Sequence, residues 1–407
     1  MLKLGVALPA LWTAFRLKSE RRLDRLLAVL TPMGAVVVLI HLFERIANGP
    51  TMEINASRVA NAIALAKGYN ILPGSDEGPL LDFMYGPMFA VAYTPAALAS
   101  SPSGAIWIGI LLSFLFVLVP FAWIAFTDSD QGSRLLAGSA VVCFGLLCSY
   151  DKALSWATWY VLADAPALAF AGCACACLQS SRGNPTDRQM GFAALFAVLA
   201  VWSKQTAAPI VVALPLYVWL RDGWRTAFRF SLWMTATGVL VSLFFVLWFG
   251  FEGILFNMFQ VPGGHPWKGI REGGSRLGAV LGSLGRLVAT SSLSGVLVLA
   301  LAVTSYRRGL SVREWLRGQP WTCLAWVALL MVPSAALAGA KVGGEFNVYA
   351  VLTYFLTGAA LLGLAQTAST TRPLVRGVFG AGGWMRFFGR ARATLLHGKD
   401  TTSGGAS

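Results

Sequence analysis

Carboxylates are scarce in this chain, eighteen in 407 residues, so those lying beside apolar runs mark where polar chemistry can be done. Glu53 follows an apolar run and heads a small-residue segment, Ala56 to Ala66, that also carries Arg58. Asp164 precedes Ala165-Pro166, and Glu345 sits in Gly343-Gly344-Glu345-Phe346-Asn347 between two apolar runs. A carboxylate so placed can take a proton from a hydroxyl, orient an acceptor, or cap a helix. For Asp164 the helix-start reading and the orienting reading both stand, because Asp-x-Pro is also a good first turn. Cations at comparable positions are Lys204, Arg276, Arg286 and Lys341. Each suits either an anionic ligand or a lipid headgroup reached by snorkelling. Lys204-Gln205 stands out because it interrupts an otherwise apolar run from Gly191 to Leu220. Asp82, Tyr85 in Tyr85-Gly86-Pro87, and His265 in a Pro/Gly-rich stretch complete the polar set. The outer carboxylates lack the spacing of an EF-hand or zinc site, so no metal ligands are assigned and a divalent metal has no support.

The elements holding these residues follow from composition. Hydrophobic residues make up 56% of the chain and charged residues 12%, which describes an all-α polytopic membrane protein and no ordinary soluble domain. A crossing helix needs about 20 apolar residues, and about ten segments approach that length. They are Leu26 to Phe43, Ala105 to Thr127, Leu135 to Tyr150, Ala165 to Leu178, Gly191 to Ser203, Thr206 to Leu220, Phe230 to Gly250, Thr290 to Tyr306, Trp321 to Gly339 and Val348 to Ala365. Met88 to Ser100 is apolar but short and broken by prolines, which suits a re-entrant or interfacial segment. Leu277 to Leu287, with Arg286 inside, reads as an amphipathic helix lying on the outer surface. The six cysteines all lie within apolar runs and read as packing residues.

The net charge of +14 excludes nothing by its size, but its distribution does. Basic residues form short clusters between apolar runs, as the positive-inside rule requires, and nucleic acid is not an expected partner. Ten crossings with the N-terminus inside put most basic clusters on the cytoplasmic side. Glu53, Asp82, Asp164, Lys204 and Glu345 then fall outside. The expected organisation is a basic cytoplasmic N-terminus (1–25), a membrane module (26–366) with a helical first outer loop (47–104), and a basic cytoplasmic tail (367–407) whose Gly/Ser end is disordered. The expected location is the inner (plasma) membrane, with membrane lipids as partners and the site on the outer, periplasmic side.

The order of these motifs resembles the GT-C superfamily of polyprenyl-phosphate-sugar-dependent glycosyltransferases, in the flavour of the bacterial mannosyltransferase-like family 87. The likeness rests on Glu53, Arg58 to Ala66, Gly68-Tyr69, Tyr85-Gly86-Pro87 and Pro95. Further on it rests on Lys204-Gln205, the basic turn Arg221-Asp222-Gly223-Trp224-Arg225, and the late Gly343-Gly344-Glu345-Phe346-Asn347 loop. It covers about 40 to 350, with two departures: Glu53 where Asp is commoner, and Gly86 where the family has Pro. The resemblance implies a GT-C-like arrangement of helices and transfer of a sugar from a polyprenyl-phosphate donor to a lipid, glycan or protein acceptor. It implies Glu53 as the catalytic base. Lys204, Arg286, Arg276 and Lys341 would serve the donor phosphate. Arg58, Tyr85, Asp82, Asp164, Gln205, His265, Glu345 and Asn347 would contact substrate. A transporter or flippase of a lipid-linked or small solute also uses intramembrane charges and Pro-broken helices, although no inverted repeat is visible here.

Overall fold

The computed structural model describes residues 20–77, 84–127, 134–179, 183–270, 273–306 and 310–379. Asp82 lies outside them, as does most of the tail. The chain divides into two units. One comprises residues 27–363, and the other combines 1–26 with 364–407, in which only stretches of helix are described.

Each of the ten apolar segments forms a helix or most of one. They are α1 (Glu20–Asn48), α4 (Pro102–Thr127), α5 (Arg134–Tyr150), α7 (Asp164–Gln179), α8 (Asp187–Ser203), α9 (Ile210–Asp222), α10 (Trp224–Phe249), α13 (Arg276–Ser305), α15 (Trp321–Gly339) and α16 (Ala350–Phe379). Between them lie α2 (Glu53–Ala66), α3 (Pro87–Tyr93), α6 (Lys152–Trp159), α11 (Phe251–Leu255), α12 (Val261–Gly264) and α14 (Val312–Gly318). Among the described residues, six helices are long and apolar enough to cross a membrane, in α1, α4, α10, α13, α15 and α16, or seven if α5 and α6, bent by 94°, form one broken span. The expectation of ten crossings is therefore met only in part, since α7, α8 and α9 have 16, 17 and 13 residues.

Two features explain the division into long and short helices. Long helices α10 and α13 carry apolar side chains outward: Leu232, Leu240, Leu243 and Leu247 on α10, and Leu293, Val296, Leu299 and Val303 on α13, are all exposed. Exposed apolar belts of this extent mark a surface that meets lipid, and with the helix lengths they make this a multi-pass membrane protein. Helix α7 is the opposite case, buried along nearly its whole length between α4 and α8. Its Ala165, Ala167, Ala171, Gly172, Ala174 and Ala176 are small enough for neighbouring backbones to close on it. Cys175 and Cys177 are buried there too, and all six cysteines are free thiols.

The helix ends sort into two groups. At one end Arg221 donates to the Leu178 carbonyl, Gln179 to that of Pro320, and Arg317 lies 3.5 Å from Asp222. At the other, the start of α7 meets the end of α8 and the loop before α16. The consecutive short helices α7, α8 and α9 therefore alternate in direction.

One expectation changes, and the short Pro-broken segment is again no span. Leu277 to Leu287 is no separate surface helix: α13 runs unbroken from Arg276, with Ser275 capping its first turn, so Arg286 belongs to the long apolar helix itself. Met88 to Ser100 forms α3 followed by a 3-10 turn, Thr94–Leu98, whose Phe89, Ala90, Tyr93 and Ala96 are buried. It is packed into protein and too short to span.

Candidate functional site

The site is built where extended backbone interrupts helices at the end of the bundle where α7 begins and α8 stops. Residues Tyr160 to Ala163 link α6 to α7 outside both helices, and only the Leu162 and Ala163 carbonyls join the first turn of α7. Buried polar backbone must find partners, and side chains supply them. Asn55 on α2 accepts from the Val161 amide at 3.0 Å and donates to the Gly49 carbonyl at 3.1 Å. Ser113 on α4 donates to the Tyr160 carbonyl at 2.9 Å, and the Tyr93 hydroxyl lies 3.3 Å from that of Leu162. Three elements, α2, α3 and α4, thereby hold the stretch that leads into Asp164.

Asp164 does not cap its helix. One carboxylate oxygen accepts from Lys204 Nζ at 2.6 Å and the other from Asn347 Nδ2 at 3.1 Å. The Lys204 and Asp164 side chains are 5% and 1% exposed, so this is a buried ion pair. Lys204 reaches it because α8 stops at Ser203. Residue 204 is extended (φ −151°, ψ 124°), and a 3-10 turn, Gln205–Ala207, leads towards α9. The interruption expected at Lys204-Gln205 is thus real. Gln205 uses both amide hydrogens to hold it, donating to the carbonyls of Met84 at 2.8 Å and Met258 at 2.9 Å.

Tyr85 stands between two cations. Lys204 Nζ lies 5.8 Å from the ring centroid and the Arg58 guanidinium carbon 5.1 Å, both within cation–π range. Arg58 is buried on the inner face of α2, beside Asn55 and Asn61. Gly86 is required by a close approach: a Cβ there would sit 1.7 Å from the Trp202 carbonyl oxygen, which only glycine permits. Arg58, Tyr85, Asp164, Lys204, Gln205 and Asn347 are thus brought together, whereas Asp82 lies outside the described residues.

The remaining candidates fall elsewhere. Glu53 opens α2 and is exposed, on the opposite side of the helix from the buried Asn55 and Arg58. A second cluster forms where residues 265–268 zip to 340–342 through Val342 N to Pro266 O and Lys268 N to Ala340 O. Lys341 donates to the Pro262 and Gly263 carbonyls, and its ammonium and the Arg276 guanidinium both face the Trp267 ring. Arg286 donates to the Gly339 carbonyl at 3.0 Å. Glu345 is exposed and 4.0 Å from Lys268. His265, with Gln260 and Phe256, lines a groove of about 410 Å³ beside a π-helical turn, Phe256–Gln260.

Sequence reasoning missed Lys268, whose ammonium also donates to the Gly344 carbonyl. Burial, and then the nearby Arg286 charge, push its pKa below the ordinary lysine value, with Glu345 opposing. It missed Asn257 too, which donates to the Pro73 and Gly253 carbonyls and ties the π turn to the segment after α2. A position between apolar runs was the only available signal for either. Among the described residues no three His, Cys, Asp or Glu side chains gather as metal ligands. Compared with family models, curated proteins and solved structures, the chain matches none.

Proposed function

We propose that this protein is a membrane glycosyltransferase of the GT-C type, moving a sugar from a polyprenyl-phosphate donor to a lipid, glycan or protein acceptor at the outer face of the membrane. One observation carries the reading. Residues from separate stretches of the motif order, 58, 85, 164, 204–205 and 347, meet at one end of the helices around a buried ion pair. In this reading α5, α7, α8 and α9 cross together with the six long helices, giving ten crossings. The alternation of their ends supports that count.

Transfer from a polyprenyl phosphate needs a base for the acceptor hydroxyl and positive charge for the leaving phosphate, at a place where lipid and water are both within reach. Glu53 is the base, free in water at the first turn of a helix whose other face is anchored by Asn55 and Arg58. The Asp164, Lys204 and Asn347 cluster holds the floor of the site and, with Arg58, keeps the Tyr85 ring in place. Arg276, Arg286, Lys341 and Lys268 supply positive charge along the outer rim, with His265, Gln205 and Glu345 near the acceptor. No cofactor is assigned.

The test is transfer by purified protein from a panel of polyprenyl-phosphate sugars, with Glu53→Gln beside the parent. Gln keeps the size and loses the basicity, so transfer falls at least about a hundredfold while the protein still folds and binds donor. Near-parental transfer by the variant removes Glu53 as base and moves the role to Asp82 or Asp164. Movement of a lipid-linked solute across vesicles, with no sugar transfer from any donor, favours the transporter reading.

A further inference from the structure

A second groove of about 410 Å³ lies at the opposite end of the helices from the Asp164 cluster, between the first halves of α8 and α10. Its floor is Gly191, Leu195 and Thr237, its walls are Phe192 and Trp233, and its rim is Asp187 and Arg188. We infer that this groove is a binding site for one anionic glycerophospholipid, with an acyl chain along Gly191, Leu195 and Thr237 and its phosphate at the Arg188 rim.

Three observations lead there. The groove opens on a lipid-facing surface, since Phe192, Leu232, Trp233, Val239 and Leu240 beside it are exposed and α10 is long and apolar enough to cross a membrane. Its natural occupant is a chain of the bilayer.

The rim then selects the headgroup. Its one carboxylate, Asp187, is already neutralised by Arg229, whose guanidinium lies 2.7 Å from both oxygens, and it accepts from Trp233 Nε1 at 3.4 Å. Arg188 is exposed and packs its guanidinium 5.7 Å from the Phe192 ring centroid. The ring holds that charge at the mouth of the groove, where it meets a phosphate.

Finally, this end of the molecule carries the basic turn Arg221 to Arg225, so it faces the leaflet whose surface attracts Arg and Lys. The inference does not depend on the enzymatic reading, because it concerns a different end of the protein and a different ligand.

The experiment is native mass spectrometry of the purified full chain offered equal amounts of phosphatidylglycerol and phosphatidylcholine with identical acyl chains. The parent retains one phosphatidylglycerol in preference to phosphatidylcholine. Arg188→Gln, at an exposed position that leaves the fold intact, lowers that preference about fivefold, the factor expected for one basic side chain at an anionic surface. Gly191→Trp fills the floor while keeping the rim charges, and lowers retention of both lipids. Circular dichroism confirms the helical content of each variant. Equal retention of the two lipids by the parent overturns the inference. So does an unchanged preference in Arg188→Gln, or a second copy of the chain covering this face with no lipid retained.

Discussion

Replacing Lys204 by Met tests how the buried ion pair works. The substitution keeps most of the side chain's length and removes its charge, leaving an Asp164 carboxylate that is 1% exposed with Asn347 as its remaining partner at 3.1 Å. An uncompensated buried charge of this kind costs about 3 to 5 kcal/mol, against about 5 to 15 kcal/mol for the whole stability of a domain. Asp164→Asn leaves the ammonium buried instead and is costly for the same reason. The double variant Asp164→Asn/Lys204→Met removes both charges and falls within about 2 kcal/mol of the parent, so the two changes couple by at least about 4 kcal/mol. The assay is reversible unfolding in mixed micelles of increasing denaturing detergent, followed by circular dichroism on all four proteins. Single variants within about 0.5 kcal/mol of the parent, with additive effects, would refute the claim that the pair is desolvated and interdependent. The outcome also governs how activity is read. Loss of transfer in Lys204→Met reflects a displaced floor as much as a lost charge, whereas Arg286, on an exposed face, can be neutralised without that confusion.

Three further expectations follow from particular contacts. Gly86→Ala drives a Cβ against the Trp202 carbonyl and costs about 2 to 3 kcal/mol, read as a lowered midpoint in the same unfolding assay; an unchanged midpoint would mean α3 and α8 do not approach so closely. Accessibility tags near Gly74 report the outside and tags after Asp187 the cytoplasm, and a cytoplasmic signal at Gly74 overturns the proposed placement of the site. Because the Lys268 pKa is lowered in the folded protein, the unfolded chain binds more protons between that lowered value and the ordinary 10.5. Stability attributable to Lys268 therefore rises with pH through that window. The parent and Lys268→Met differ in the pH slope of their melting temperatures there, and identical slopes would show that the side chain is not desolvated.

The sequence by itself determined the class of this protein and the positions of its helices. An apolar run long enough for a bilayer has no soluble alternative, and each of the ten segments became helical. It also determined where the chain breaks, since the polar pair Lys204-Gln205 interrupts the apolar run and α8 stops just before it. Only the tertiary structure decided what those polar residues do. Asp164 had the neighbours of a helix cap, yet its carboxylate pairs with Lys204 and Asn347, because a partner forty residues away and another beyond α15 arrive at the same point. Arg286 read as part of a surface helix because its local pattern is amphipathic, but α13 continues through it and its guanidinium meets the Gly339 carbonyl. Asn55, Tyr93 and Ser113 carried no signal, and Asn257 only its position between apolar runs: their role is to satisfy backbone groups of Gly49, Val161, Pro73, Leu162 and Tyr160, and which backbone is left unpaired is known only once the helices have packed. Span length and charge asymmetry are local properties of a chain in a bilayer and can be read along it. Ion pairing and backbone satisfaction depend on which segments share an end of the bundle, and that is settled by packing.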